Sequence, residues 1–238
     1  MKQVAGIDGC RKGWVVVRRA IDGGVPQVEI VASFEQVVRD PLLEVIAFDV
    51  PIGLLDGAQP GGRPCDVAAR RMLRPHRGSS VFSAPVRAVL GAGGFGEAAA
   101  RSRASSPHQL ALSKQSFAIV PKIAEVDGLV TPAVQGRVVE VHPECSFAVM
   151  NGGEALVEGK KSRTGRAARL ALLTEHWAPG VDLVEIVERW RGKGVARDDV
   201  VDAMVACWSA ERVRAGVARR LPEAVVVDGR GLRMEIWV

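Results

Sequence analysis

Tyrosine is absent from this chain of 238 residues, and six Phe with five Trp bring the aromatics to only 5%. An extended platform on which successive bases of a single strand could stack is therefore not provided for. Cysteine is also scarce. Cys10, Cys65, Cys145 and Cys207 stand far apart with no C-x-x-C pair, which excludes a zinc ribbon or dithiol redox motif and fits a reducing compartment. No apolar run approaches the ~18 residues of a membrane span. The first residues are strand-like and carry Asp8, where a secretion signal would have a charged and then an apolar region. The expectation is a soluble, cytoplasmic protein. Internal repeats and long low-complexity tracts are missing too, so a solenoid is not indicated.

What is present is an ordinary globular composition, 47% hydrophobic and 25% charged, long enough for one substantial core. Lys and Arg exceed Asp and Glu by 32 to 27, a net charge of +5 that favours acidic partners such as nucleic acid. Basic residues concentrate at Arg70, Arg71, Arg74 and Arg77 and again at Lys160, Lys161, Arg163, Arg166 and Arg169. Taken singly, these read as solvated surface.

Short apolar runs at Val4–Asp8 and Gly13–Arg18, parted by glycines, predict an opening hairpin, and Val28–Ala32 a third strand. A short helix over Ser33–Val38 and a buried fourth strand over Val45–Val50 follow. From residue 53 to 136, Gly and Pro clusters break the chain into pieces of helical character, at Cys65–Leu73 and at Ser113–Val126 with a restart at Pro121. This is expected to be an insertion within a single domain spanning 1–238. A fifth strand is predicted at Arg137–His142, helices at Gly165–His176 and Asp198–Ala218, and a closing hairpin from Val225–Val227 to Arg233–Val238. Asp198 is expected to be the N-cap of the last helix. The order implies a mixed α/β sheet flanked by helices.

Acids punctuate these elements. Asp8 closes the first strand and Asp49 the fourth, the latter in surroundings too apolar for an unpaired carboxylate. If the strand ends are neighbours, a bound cation relieves the repulsion between them most directly. Asp199 and Asp202, three apart, project from nearly one helix face. Glu140 and Glu144 flank His142, and one of the two is expected to join Asp8 and Asp49, Glu144 being preferred. Such oxygen ligands without Cys suit Mg²⁺ or Mn²⁺. Two such ions would clamp a phosphodiester for hydrolysis, with Asp8, Asp49, Glu144, Asp199 and Asp202 as the catalytic set.

The Gly6-Ile7-Asp8-Gly9 opening and the Asp199-Val200-Val201-Asp202-Ala203 helix resemble the first-strand and last-helix acidic motifs of RuvC-type resolvases. More closely, the stretches GIDGCRKGWVV, FDVPIGL, GRPCDVAARRML, SSVFSAPVR, LSKQSFAIVPKIAEVD, EVHPE and DDVVDA resemble a family of predicted nucleases with a ribonuclease H-like fold, long catalogued as a domain of unknown function. The resemblance implies a ribonuclease H-like sheet, nuclease activity, and acids at Asp8, Asp49, Asp199 and Asp202. It departs from the resolvases in two ways. Their fourth-strand glutamate is matched only in role by Asp49, and the polar motifs of the insertion have no counterpart. In those motifs Arg63, Asp66, Arg70, Arg71, Arg87, Lys114, Gln115 and Lys122 are candidates for contacting a phosphate-bearing substrate, and His142 for a hydrogen bond to it.

Two other functions are compatible with the residues. Sugar and acetate kinases share the related fold and an Asp with glycines near the end of the first strand, but a second glycine-rich phosphate hairpin is missing here. A catalytically silent module binding nucleic acid through its basic surface is the other.

Overall fold

The computed structural model describes residues 1–238. Five strands form one mixed sheet in the order β3-β2-β1-β4-β5, with β1 at Gln3–Cys10, β2 at Gly13–Ala20, β3 at Gly23–Val31, β4 at Leu43–Phe48 and β5 at Val138–Glu140. The first three are antiparallel neighbours, while β1, β4 and β5 run parallel. This is the α/β arrangement of a ribonuclease H-like fold. The chain returns from β3 to β4 through α1 (Phe34–Val38).

Strand alternation sorts the sheet into two faces. Val4, Val15, Val17, Val45, Ala47 and Val139 face one core, shared with the long helix α9 (Arg197–Arg214). Ala5, Ile7, Val16, Ile46, Phe48 and Val138 face the other, covered by α1 and by α5 (Val120–Leu129). Behind α9 lie α7 (Arg163–His176) and α8 (Leu183–Glu188).

Between β4 and β5 the chain runs through α2 (Pro64–Met72), α3 (Phe95–Ala104), α4 (Lys114–Ala118) and α5. The break between α4 and α5 falls where Pro121 was expected to restart the helix. After β5, α6 (Pro143–Met150) starts at once, and Cys145 and Ala148 on it share a small core with α2 and the C-terminal strand β7 (Ile236–Trp237). The closing hairpin is present through the Val227–Arg233 bridge and continues to β6 (Arg220–Leu221), which pairs with β7.

α3 and α8 were not expected, β5 is shorter than Arg137–His142, α9 stops at Arg214 in place of Ala218, and three starts differ for identifiable reasons. β3 begins at Gly23, well before Val28, because it follows β2 directly across the turn. α9 begins at Arg197 with Ala196 at its N-cap, so Asp198 is no cap. Asp199 instead accepts the Ala196 N–H at 3.0 Å, satisfying one orphan donor of the helix start. Finally, Pro143 opens α6 at its first position, a place proline suits because no intrahelical donor is needed there.

One close approach fixes the α9 face. A Cβ at Gly6 would lie 2.0 Å from the Cys207 nitrogen and 2.1 Å from the Ala203 oxygen, so the helix backbone rests on bare strand. Gly6→Ala must push backbone from backbone. It is expected to cost at least about 3 kcal/mol in urea unfolding, or to prevent folding. Gly9→Ala, whose nearest neighbour would be the Lys122 stem at 3.5 Å, is expected to be mild. Equal losses for the two would contradict the contact.

Candidate functional site

Parallel pairing of Ile7 with Phe48 makes Asp8 and Asp49 the next step in register at adjacent strand ends. Both continue the face of Val4, Val45 and Ala47, which is the face α9 covers. The Gly6 contact then sets the first turns of α9 over these ends, bringing Asp199 and Asp202 to the same place. Asp202 is almost fully buried, at 1% exposure. Asp8, Asp49 and Asp199 are half-buried.

The four carboxylates feel one another. Burial, then Asp202, Asp49 and Asp199, push the Asp8 carboxyl well above the usual range, and Lys160 pulls against them. Burial pushes Asp202 up to about 7, opposed by Lys160 and reinforced by Asp49 and Glu144. Asp199 is raised by burial and by Asp198, against the hydrogen bond from Ala196 and the charges of Lys160 and Lys161.

Lys160 is the resident cation. Its ammonium donates to Asp202 Oδ2 at 2.5 Å. The loop that carries it is held by a second close approach: a Cβ at Gly165, in the first turn of α7, would meet the Gly159 oxygen at 2.2 Å. Fully buried Arg169 donates to the Glu158 and Gly165 carbonyls at 3.0 and 2.8 Å and grips both oxygens of Glu144 at 2.8 and 2.7 Å. Glu144, on the first turn of α6, also accepts from Arg77 at 3.3 Å.

Glu140 does not join this group. Its pairing with Phe48 puts it on the opposite sheet face from Asp49. There it accepts the Ile52 N–H at 2.7 Å and two bonds from Arg63, at 2.8 and 2.5 Å, while burial pushes its carboxyl up to about 7 against that guanidinium. Arg63 also binds Asp66 at 2.7 Å and the Ile52 carbonyl at 3.0 Å. Glu140 as a metal ligand alongside Asp8 is therefore corrected: the trio of Arg63, Asp66 and Glu140 is a buried strut tying α2 to the sheet.

A cleft of about 450 Å³ opens beside Asp49. His142, Glu144, Arg77, Lys160 and Lys161 border it, together with Ser79, Ser80, Phe82 and Gln115. This is the carboxyl end of the parallel strands, where open α/β sheets place their ligands. His142 Nδ1 and Asp202 Oδ1 are both buried without a hydrogen-bond partner.

The basic residues expected to meet substrate separate into two groups. Arg63, Gln115 and His142 line the cleft, Arg63 with its donors spent on the strut. Five others are placed differently. Arg70 holds the Val81 and Gly61 carbonyls and Ser83. Arg87 binds Asp127 at 2.6 Å and Asp228, joining α5 to the closing hairpin. Lys122 lies over Trp14, 4.1 Å from the ring centroid, and donates to the Gly13 carbonyl. Arg71 and Lys114 are exposed and line no part of the cleft. Conversely, Lys160, Lys161 and Arg77 were read from sequence only as surface charge.

A family model described as a protein of unknown function (DUF429) matches residues 6–226. The chain belongs to that family. No curated protein and no solved structure matches it. The DUF429 match begins at the Gly6 contact and runs past α9, so it takes in all four carboxylates, Lys160 and the cleft lining apart from Ile236. No helix is long and apolar enough to cross a membrane, and the four cysteines are buried free thiols.

Because burial and mutual repulsion raise Asp8 and Asp202 above their unfolded values, the metal-free protein should lose stability as pH rises above the unfolded carboxyl range, for Asp202 from about 4 to about 7. Asp8→Asn removes part of the repulsion. In chelator at pH 8 it is expected to melt a few degrees above wild type, the scale of about 1 kcal/mol for this length, with the gap closing toward pH 5. Identical melting curves at both pH values would show that Asp8 carries no such burden.

Proposed function

We propose that this protein hydrolyses phosphodiester bonds of nucleic acid with Mg²⁺ or Mn²⁺ held at Asp8, Asp49, Asp199 and Asp202. One observation carries the reading: two strand ends and the start of α9 bring four mutually repelling carboxylates to one region against one directly paired cation, and the buried Oδ1 of Asp202 has no partner. Native proteins seldom leave a buried charge so poorly compensated unless a ligand completes it. The donor set is all oxygen, as these hard cations prefer.

The fit is to an arrangement that must still adjust. No three of the His, Cys, Asp and Glu side chains converge tightly enough to cage an ion as they stand, and the Lys160 ammonium occupies Asp202. Lys160 is only partly buried at 34% side-chain exposure, so its flexible stem can turn toward the cleft and release Asp202. When bound, one ion or a pair would lower the pKa of a water and balance the charge of the leaving oxygen.

The rest is supplied by the chain. Asp8, Asp49 and Asp202 hold the cation, with Asp199 at the margin. Lys160 and Lys161 attract the phosphodiester, and Arg77 adds a third positive charge positioned by Glu144. Glu144, the ligand the sequence favoured beside Asp8, has both oxygens taken by Arg169 and one also by Arg77, so it positions those cations in place of binding the metal. His142 lines the cleft, and its Nδ1 is buried without a partner. Buried free cysteines suit a cytoplasmic setting, which belongs to the same proposal.

The test is a panel of single-stranded, duplex and branched DNA and RNA incubated with Mn²⁺, Mg²⁺ or chelator. Metal-dependent cleavage is expected from wild type. Asp202→Asn and Asp8→Asn should lose at least about a hundredfold in rate while keeping a cooperative melt. Cleavage that survives chelator or both substitutions would remove the carboxylates from the chemistry, and ATP-dependent phosphate transfer without cleavage would replace a nuclease by a kinase.

A further inference from the structure

The cleft beside Asp49 continues past the carboxylates. A second cavity of about 400 Å³ lies within the inserted segment, with Gln59, Ser83, Ser113 and Ser116 in its wall. Phe82 and Gln115 border both cavities, so the two meet across these side chains.

Phe82 is unlike the other phenylalanines. Phe34, Phe48 and Phe147 are fully buried, and Phe95 packs edge-on against Phe117. Phe82 is 40% exposed and belongs to no hydrophobic cluster. Nor is it on a loose loop. The Arg70 guanidinium donates to the Val81 carbonyl at 2.7 Å and to Ser83 Oγ at 2.8 Å, gripping the residues on either side. The Ala84 N–H donates to Asp66 at 3.1 Å, and Ser116 Oγ to the Ser83 carbonyl at 3.1 Å. A ring on a braced backbone, left uncovered between two cavities of mixed polar and apolar lining, has the form of a stacking face.

We propose that the paired cavities bind one nucleotide unit, free or at the end of a strand, with its base stacked on Phe82 and its phosphate toward Arg77, Lys160 and Lys161. The proposal rests on the reading of the carboxylate cluster as a phosphodiesterase and narrows its substrate. Each cavity has the size of a small-ligand site. The Ser and Gln side chains in the walls can donate to and accept from a base edge. A base inside a duplex is stacked on its neighbours and must first be extruded, whereas a free nucleotide or a frayed end presents its face at once. One aromatic face serves one base, which agrees with the poverty of aromatics elsewhere.

Calorimetric titration of the full chain with AMP in the presence of chelator tests this without turnover. The expected result is saturable binding that weakens at least about fivefold in Phe82→Ala, the loss of one base–aromatic stack, and returns in Phe82→Trp. Ribose 5-phosphate should bind all three proteins equally weakly. Absence of AMP binding, or equal affinity in Phe82→Ala and wild type, overturns the proposal. With Mn²⁺ added, shortening of a linear single strand while a closed circle of the same sequence survives identifies a strand end. Hydrolysis of a dinucleotide with both strands intact identifies a free nucleotide. A circle cut as fast as the linear strand overturns the proposal and leaves phosphodiester cleavage standing. AMP binding that depends on Phe82 without any metal-dependent cleavage supports the nucleotide site and fails the catalytic reading alone.

Discussion

The contact between the bare backbone of Gly6 and the α9 backbone at Ala203 and Cys207 determines where everything else can stand. Were the strand to carry any side chain there, the helix would ride higher and its first turns would miss the strand ends. Instead α9 lies flush on β1, and Asp202 is carried into the buried angle beside Asp8 and Asp49. Burying carboxylates so close together opposes folding through desolvation and repulsion, which is why the native carboxyls cling to their protons. Lys160 relieves part of this, and the rest is a standing demand for a cation. A fold that keeps such a cluster has given up stability at one point for what the point can do.

Elsewhere the chain meets buried charge by close pairing. Arg63 with Asp66 and Glu140, Arg169 with Glu144, and Arg87 with Asp127 and Asp228 are tight, multidentate arrangements. The first ties inserted α2 to the sheet, the second ties α7 to α6, and the third ties inserted residues to the closing hairpin. Breaking one partner out of such a pair leaves the other buried and uncompensated, a loss of about 3–5 kcal/mol, so these residues would give severe phenotypes without touching substrate. The contrast lies in the acceptors: Glu140, Glu144 and Asp228 each take at least two donors, whereas Asp202 has one oxygen on Lys160 and the other buried with nothing bonded to it.

Much of this was legible in the sequence because it depends on local rules. An acid ending a strand, a second ending another, and a pair three apart at a helix start are visible as residue types at element boundaries, and the register then brought them together. Glu140 shows where that reasoning stops. Its polar face was visible from alternation, but which side of the sheet that face occupies depends on pairing with Phe48, a long-range fact that no local pattern encodes. Arg70 and Arg87 read as substrate cations because their acceptors, carbonyls and carboxylates far along the chain, could not be seen. Lys160 was missed for the opposite reason, lying in a Gly-rich loop where a charge looks solvated. α6 was hidden behind Pro143, which ends a strand and begins a helix with equal ease.

The account comes down to whether a divalent cation takes the place now held by the Lys160 ammonium. Crystals soaked in Mn²⁺, examined by anomalous scattering at the manganese edge, answer this directly. The expected map has a peak among Asp8, Asp49 and Asp202, with the Lys160 side chain withdrawn from Asp202 toward the cleft. A protein saturated with Mn²⁺ that shows no peak there, and keeps the Lys160 to Asp202 ion pair unbroken, would contradict it.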